Sequence, residues 1–517
     1  MNGKNIVLLS DGTGNSAAKR HKTNVWRLYQ ALDLSDPTKQ IAFYDDGVGT
    51  QEFLPFKLLS GAFGWGLQRN VMELYMALCR TYEEGDRIYL FGFSRGAFTV
   101  RMLAGLIARR GVCKAYKDED DLRKRARQQF IDYRSRYKRG LVHRLWRMLR
   151  GRDDTQQLRE RNEIDKIEFI GAWDTVDAYG FPVYELVSLW DHLIWPLRFV
   201  DQKLSAKVKR ACHALSIDDE RASFWPVLWE EAGPEACGHE GEGNPEQGED
   251  RGEEGRTPHI EQVWFAGVHS DVGGGYARSE LALVSLDWMI SKVEARSIYD
   301  PGLRFASGIR ADYAQRANCH GAQHDSRSGL RAYYRYKPRH IRQLCCEQGI
   351  ARPQVHCSVL ERVRRGIITY APTALSESYD LVDGLGEKTD LDEKYGSESE
   401  EMKKALAYTR RRSGLYAIFV LATLTFAFLP LFLPGSSDDG CTGWSCLAGI
   451  PFRLVACVLP DCVQPWITGW IVVVENPWGL LGIVVIAVLL WQLKARWFSA
   501  TRKHATAAWA ALGKKGD

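Results

Sequence analysis

The chain has 517 residues, with 69 Lys and Arg against 64 Asp and Glu, a formal net charge of +5. So small an imbalance over this length does not point to nucleic acid, and no nucleic-acid partner is expected. The length admits one large domain with additions or two or three smaller ones, and the slightly negative mean hydropathy averages a soluble stretch with an apolar tail.

The first segment, Met1-Asn2-Gly3-Lys4-Asn5, leads into four apolar residues and then Asp11-Gly12, which reads against a secretory signal peptide. Ile6-Val7-Leu8-Leu9 runs into Ser10-Asp11-Gly12-Thr13-Gly14-Asn15, and Ile41-Ala42-Phe43-Tyr44 into Asp45-Asp46-Gly47. A helical pattern spans Asn70 to Tyr82. Arg87-Ile88-Tyr89-Leu90-Phe91 then enters Gly92-Phe93-Ser94-Arg95-Gly96, and a second helical pattern spans Phe98 to Arg110. Further on, Ile167 to Trp173 runs into Asp174-Thr175, and Gln262 to Val268 into His269-Ser270-Asp271. Continuous apolar strands alternating with helices predict an α/β fold, a mostly parallel sheet with helices on both faces. Chemistry in such sheets gathers at the carboxyl ends of the strands, where these Ser, Asp and His residues fall.

Two insertions interrupt the pattern. About residues 101–160 are dense in Arg and Lys, which reads as a solvated helical face or as a basic patch for anionic lipid headgroups. About residues 230–259 are rich in Gly and Glu, poor in apolar residues, and expected to be a disordered surface loop.

Gly92-x-Ser94-x-Gly96 between a buried strand and a helix has the context of a nucleophile elbow. The strained turn needs small residues two before and two after the serine, because strand and helix approach closely there. A serine hydroxyl is a poor nucleophile at neutral pH, so a base must take its proton and an acid must orient that base. Asp174 and Asp271 compete for the acid, and His269 and His324 for the base, with His320 a weaker candidate. His269 and Asp271, two apart on an extended strand end, would face the same way, but the base would then precede its acid. Ser94, Asp271 and His324 keep the expected Ser–Asp–His order and are preferred, with Asp174 and His269 as rivals. The oxyanion hole is expected from the backbone amides of Arg95 and of Gly12 and Thr13. A metal site built on Asp11, Asp174 and Asp271 lacks recognisable ligand spacing, and no Gly-Lys-Ser/Thr follows a glycine-rich turn, so neither a metal nor a cofactor is expected.

These motifs together resemble a known family, the phospholipase effectors of type VI secretion (Tle-type lipases), and a wider group of uncharacterised α/β-hydrolase domains that share their core. The resemblance is carried by residues 9–15, 92–99, 171–176 and 214–221, and above all by Val263 to Tyr276; His324-Asp325-Ser326 matches a short late histidine motif. It extends over roughly residues 4–375, with Ser10 standing where the family commonly has Phe. The family implies an α/β-hydrolase fold, a Ser–Asp–His triad compatible with Ser94, Asp271 and His324, and release of fatty acids from phospholipids. It also makes an immunity or regulatory protein a partner class; the oligomeric state is left open.

The tail is different. Leu415 to Leu433 is an uncharged apolar run long enough to cross a hydrocarbon core of about 30 Å. Leu480 to Leu493 is a shorter one flanked by Trp478 and Trp491, and crossings at about 415–433 and 478–494 would form a C-terminal α-helical transmembrane hairpin. Arg410-Arg411-Arg412 precede the first run and Lys494, Arg496, Arg502 and Lys503 follow the second, which places both ends in the cytoplasm and residues 434–478 outside. Cys441, Cys446, Cys457 and Cys462 would lie on that oxidising side, where disulfides persist; the other eight cysteines read as structural. The expected organisation is a catalytic domain over 1–400 and a membrane-anchoring region over 401–517. The chain then reads as a multi-pass bacterial inner-membrane phospholipase A-type esterase with a cytoplasmic site, or as a toxin delivered to a target cell's membrane. An esterase or thioesterase of soluble substrates and a catalytically idle scaffold are the alternatives.

Overall fold

In a computed structural model of the chain, the short apolar runs lie side by side as one sheet. The structure describes residues 3–12, 20–47, 62–135, 161–162, 164–177, 203–231, 259–294, 302–364, 370–375, 379–383, 388–389, 400–428, 445–457 and 464–513. The chain divides into two compact units, Met1–Tyr395 and Gly396–Asp517. The acidic stretch 232–258 and the end of the basic insertion, 136–160, fall outside the described residues.

The first unit runs β1 (Asn5–Ser10), α1 (Asn24–Ala31), β2 (Gln40–Asp45), α2 (Ala62–Thr81), β3 (Arg87–Phe93), α3 (Arg95–Arg110), β4 (Val112–Cys113), α4 (Glu119–Ser135), β5 (Arg161–Asn162), β6 (Ile167–Trp173), β7 (Val208–Ser216) and β8 (His259–Phe265). It continues through α5 (His269–Gly273), α6 (Glu280–Val293), α7 (Ser307–Arg316), α8 (Ile341–Cys346), β9 (Gln354–His356), α9 (Cys357–Arg364), β10 (Asp380–Val382) and β11 (Lys388–Thr389). Among the described residues, nine strands form the sheet in the order β11-β10-β9-β8-β7-β6-β3-β1-β2, and all its pairs are parallel except β10 with β11. β4 and β5 pair apart from it.

Alternation along each strand divides the core into two layers. Ile6 and Leu8 of β1 and Leu90 of β3 pack with Leu74 and Tyr75 of α2 and Leu103 and Ile107 of α3. Val7 and Leu9 of β1 and Phe91 of β3 pack with Leu28 of α1 and Leu286 and Ile290 of α6. Both faces of the central strands are therefore covered, which is why these strands are apolar throughout rather than alternating. Arg101, counted by sequence in the basic insertion, points inward: it is buried, donates to the carbonyls of Val227 and Leu228, and lies over the Trp229 ring.

The second unit contains α10 (Glu400–Phe428), α11 (Ser445–Ala456), α12 (Gln464–Glu475) and α13 (Pro477–Gly513). α10 and α13 meet where the His504 ring stacks on Tyr408 and its Nδ1 lies 2.7 Å from Glu401 Oε2. Among the described residues, one helical segment is long and apolar enough to cross a membrane, Leu481–Ala510 within α13. The expected hairpin is not shown: the first apolar run, 415–433, is described only as far as Phe428, as the end of α10, and its remainder lies outside the described residues. Cys457 carries a free thiol; Cys441 and Cys462 and the side chain of Cys446 lie outside the described residues.

The approach of β1, β3 and α3 sets the tolerances of the fold. A Cβ on Gly92 would sit 2.4 Å from the Gly96 carbonyl oxygen, and one on Gly96 would sit 2.0 Å from the Ser10 carbonyl oxygen. Both obstacles are backbone and cannot swing away. Gly96→Ala should lower the unfolding free energy by about 3 kcal/mol, the upper end for overpacking. Gly308→Ala, with nothing within 4 Å of the new carbon, should be neutral or mildly stabilising. Denaturant midpoints of the two variants measure the contrast, and equal midpoints would contradict it.

Candidate active site

Ser94 is the single residue between β3 and α3, with φ 58° and ψ −121°. A non-glycine residue at positive φ carries backbone strain, and here neighbours on both sides hold it. Ser94 N donates to the Trp173 carbonyl across the β3–β6 pair at 2.9 Å, and Phe98 N donates to the Ser94 carbonyl at 3.2 Å. The hydroxyl is thereby presented at the carboxyl edge of the sheet, with the Arg95 amide beside it at the first position of α3. Amides in the first turn of a helix have no partner within the helix.

The next two strands supply the surroundings of Asp174. Asp174 follows β6 directly, at φ 40°, and its N–H donates to the Ala214 carbonyl of β7 at 2.8 Å. Thr175 N donates to His213 Nε2 at 3.0 Å, and burial, then the nearby Arg101 charge, pushes His213 down to about 3, so it stands neutral as the acceptor. Asp174 Oδ1 accepts from Ser216 N at 2.9 Å and from Arg339 Nη1 at 2.7 Å. Oδ2 accepts from Arg339 Nη2 at 2.7 Å and lies 2.5 Å from His269 Nδ1.

His269 opens α5, just after the β8 strand end. Its approach is held by Gly267 at φ 109°, whose N–H donates to Asp218 Oδ2 at 2.7 Å, and by its own N–H on Asp219 Oδ2 at 3.2 Å. Burial pushes Asp218 up to about 7, with the Gly267 and Tyr370 hydrogen bonds opposing. The imidazole lies between Phe93, at 4.6 Å between centroids, and Phe224, at 4.9 Å edge-on. Since a carboxylate has no proton to give, Nδ1 donates to Asp174, leaving Nε2 to accept from Ser94 Oγ at 2.8 Å. Ser94, His269 and Asp174 are all buried.

The preferred set of Ser94 with Asp271 and His324 is not what gathers at the serine, and this corrects that expectation. Asp271 and His324 bind each other instead: His324 Nδ1 lies 2.6 Å from Asp271 Oδ1, and Oδ2 accepts from the amides of Val268 and His324 at 3.1 Å each. The His324 ring stacks on Tyr276 at 4.0 Å. The cause is local. Residues 269–273 are helical rather than extended, so side chains two apart diverge by about 200° and only His269 faces the nucleophile. Ser94, Asp174 and His269 also keep the Ser–Asp–His order, so chain order could not discriminate. The usable signal was position, since both rivals lie within four residues of a strand's carboxyl end while His324 sits in a loop. His320 lies 3.6 Å from Glu361.

Gly12 and Thr13 were the other oxyanion candidates. Gly12 N donates to Asp11 Oδ1 at 2.6 Å, and Asp11 Oδ2 accepts from the Thr23 and Tyr44 hydroxyls at 2.5 and 2.7 Å. Asp11 therefore braces its own loop, and the Gly12 amide is occupied there; Thr13 lies outside the described residues. Cys319, His320 and Glu361 each offer one ligand atom within 4.8 Å of the others, the one such group among the described residues. Arg362 binds the Cys319 and Gly321 carbonyls beside it, so a cation there would meet a fixed positive charge.

With this geometry in hand, comparison with known proteins is informative. Residues 4–292, more than half of the chain, match the family model described as the T6SS phospholipase effector Tle1-like catalytic domain. The chain belongs to this family. The description of that family model is of a phospholipase effector's catalytic domain. Among curated proteins it is similar to the uncharacterized protein YEL023C of Saccharomyces cerevisiae, 31% identical over 237 residues, which is 43% of this chain and 32% of that protein. The chain thus spans about a third of the length of that relative. Among solved structures it is similar to an uncharacterized protein from Pseudomonas aeruginosa at 17% identity and a TM-score of 0.33, covering 90% of this chain and 63% of the other; a likeness that weak carries no argument.

In this Tle1-like domain the surroundings of His269 favour its neutral form. Burial pushes the His269 imidazole below its usual 6.5; the Asp174 hydrogen bond and charge oppose the shift, and the Arg221 charge adds to it. A lowered pKa leaves the ring neutral, able to take a proton, through pH 6.5 and below. The half-maximal pH for labelling of Ser94 by a fluorophosphonate should therefore lie below 6.5. A half-maximal rate at or above 6.5 would contradict this.

Proposed function

We propose that the chain is a serine hydrolase that cleaves carboxylic ester bonds of phospholipids, with Ser94 as nucleophile, His269 as general base and Asp174 as the acid that orients it. The observation that carries the reading is the relay of Ser94 Oγ to His269 Nε2 at 2.8 Å and His269 Nδ1 to Asp174 Oδ2 at 2.5 Å. Ser94 Oγ attacks the acyl carbonyl while Nε2 takes the hydroxyl proton, and Asp174 offsets the imidazolium that forms. The Arg95 amide at the start of α3 faces the developing oxyanion. Nε2 then returns its proton to the leaving alcohol, and water, activated by the same ring, hydrolyses the acyl-enzyme. Asp271 and His324 act as a brace for the β8–α5 turn, outside the proton path.

Lipid as substrate is supported by the family and by the second unit. Along α13, Leu481, Val484, Val485, Val488 and Leu489 are exposed, a row that water does not favour and a bilayer does. We read α13 as a single tether that holds the protein at a lipid surface. A helix of this kind serves a delivered effector and a resident enzyme alike.

The test is fatty-acid and lysolipid release from a panel of phospholipid vesicles by the full-length chain. Ser94→Ala should lower release by about 10³-fold or more, as removal of a triad nucleophile does. Val485→Asp with Leu489→Asp should lower the rate on vesicles and spare the rate on monomeric short-chain lipid. No release from any phospholipid, alongside hydrolysis of soluble esters, would replace the lipid reading with that of a soluble-substrate esterase.

A further inference from the structure

We propose that Arg339 is a positioning residue of the reaction, holding Asp174 charged and correctly turned toward the base; this rests on the triad reading above. Arg339 lies just before α8, beyond residue 292, where the family match ends. Its side chain and that of Asp174 are both 0% exposed. The guanidinium meets the carboxylate fork to fork, with Nη1 on Oδ1 and Nη2 on Oδ2, each at 2.7 Å. That bidentate geometry fixes the plane of the carboxylate, which one point charge would not do. The same two nitrogens donate to the carbonyls of Ser216, at the end of β7, and Phe224, whose ring packs against His269. One side chain therefore ties the acid, the strand end beside it and the wall of the base.

The arrangement has an electrostatic consequence that a bare structural clamp would lack. Burial alone would push Asp174 up, but the Arg339 charge and hydrogen bonds, with those of His269, outweigh it and hold the carboxyl well below the usual range. The other groups near the pair are Asp219 and Arg221 after β7, which bind each other at 2.7 Å, and His213 on β7. With Arg339 present, the Asp174 charge is already countered, so the imidazolium of His269 gains less from it. Removing the guanidinium should make His269 more basic, and the acid limb of kcat/KM should then move to higher pH.

Arg339→Gln, Arg339→Lys, Asp174→Ala and the double variants would be made in the full-length chain and assayed on a short-chain chromogenic ester across pH. Arg339→Gln should lower kcat about 30-fold with KM within about twofold, and raise the acid limb by about one pH unit. Arg339→Lys keeps the charge and loses the fork, so its limb should stay near the wild type while kcat falls about fivefold. In the Asp174→Ala background neither Arg339 substitution should cost more than about twofold, because the residue acts through the carboxylate. A folded Arg339→Gln enzyme with wild-type kcat and limb overturns the proposal, as does a loss that adds in full to that of Asp174→Ala. If Arg339→Gln does not fold, Arg339→Lys decides: wild-type kcat overturns the positioning role, and a loss absorbed by Asp174→Ala supports it. Full activity in Asp174→Ala would remove the triad reading itself, whereas an inactive Asp174→Ala beside normal Arg339 variants removes this proposal alone.

Discussion

A carboxylate with no exposed surface collects donors from three parts of the chain at the carboxyl end of β6. Asp174 takes the Ser216 amide from β7, the Arg339 guanidinium from the segment before α8 and the imidazole Nδ1 from the β8–α5 turn, while its own N–H reaches Ala214. Burying a charge without such partners is prohibitively costly, so its surroundings must assemble together or not at all. That requirement explains why residues far apart in sequence converge here, and why the neighbouring backbone accepts positive φ at Asp174 and at Ser94. The His269 ring is oriented because Asp174 is held by these bonds.

Parallel strands make the convergence geometrically inexpensive. β3, β6, β7 and β8 are consecutive in the sheet, so the residues that follow them emerge along one edge within a few strand spacings of about 4.8 Å. The register pairs Phe93 with Trp173 and Trp173 with Ala214, which sets Ser94 and Asp174 on adjacent strand ends. The four-residue step from Phe265 to His269 then brings the imidazole across to Ser94.

Much of this was legible from residue patterns because it is local. The sheet strands announce themselves as apolar runs, since both faces are covered. The turn at Ser94 is announced by Gly92 and Gly96, whose missing side chains make room for the Gly96 and Ser10 carbonyls. The choice between two histidines and two aspartates was not local. It depended on whether residues 269–273 continue the strand or begin a helix, and on which strands are neighbours. Arg339 left no local trace, being one arginine in a loop 165 residues from its partner. The apolar tail was legible as apolar; among the described residues its first run forms the end of a helix that begins at the charged residues from Glu400.

A family match ending at residue 292 would suggest that the machinery ends there too, yet the compact first unit extends to Tyr395 and the buried partner of Asp174 lies in that extension. The extension also contributes His324, which shares with Asp271 the geometry of an acid–base pair while facing another side of the same turn. Two histidine–aspartate pairs so close in sequence make the choice between them the central claim. The rate constant for fluorophosphonate labelling of Ser94 in His269→Ala and His324→Ala measures it most directly. The account predicts a loss of about 10³-fold or more in His269→Ala, as for loss of a general base, and less than about tenfold in His324→Ala; the reverse ranking would contradict it.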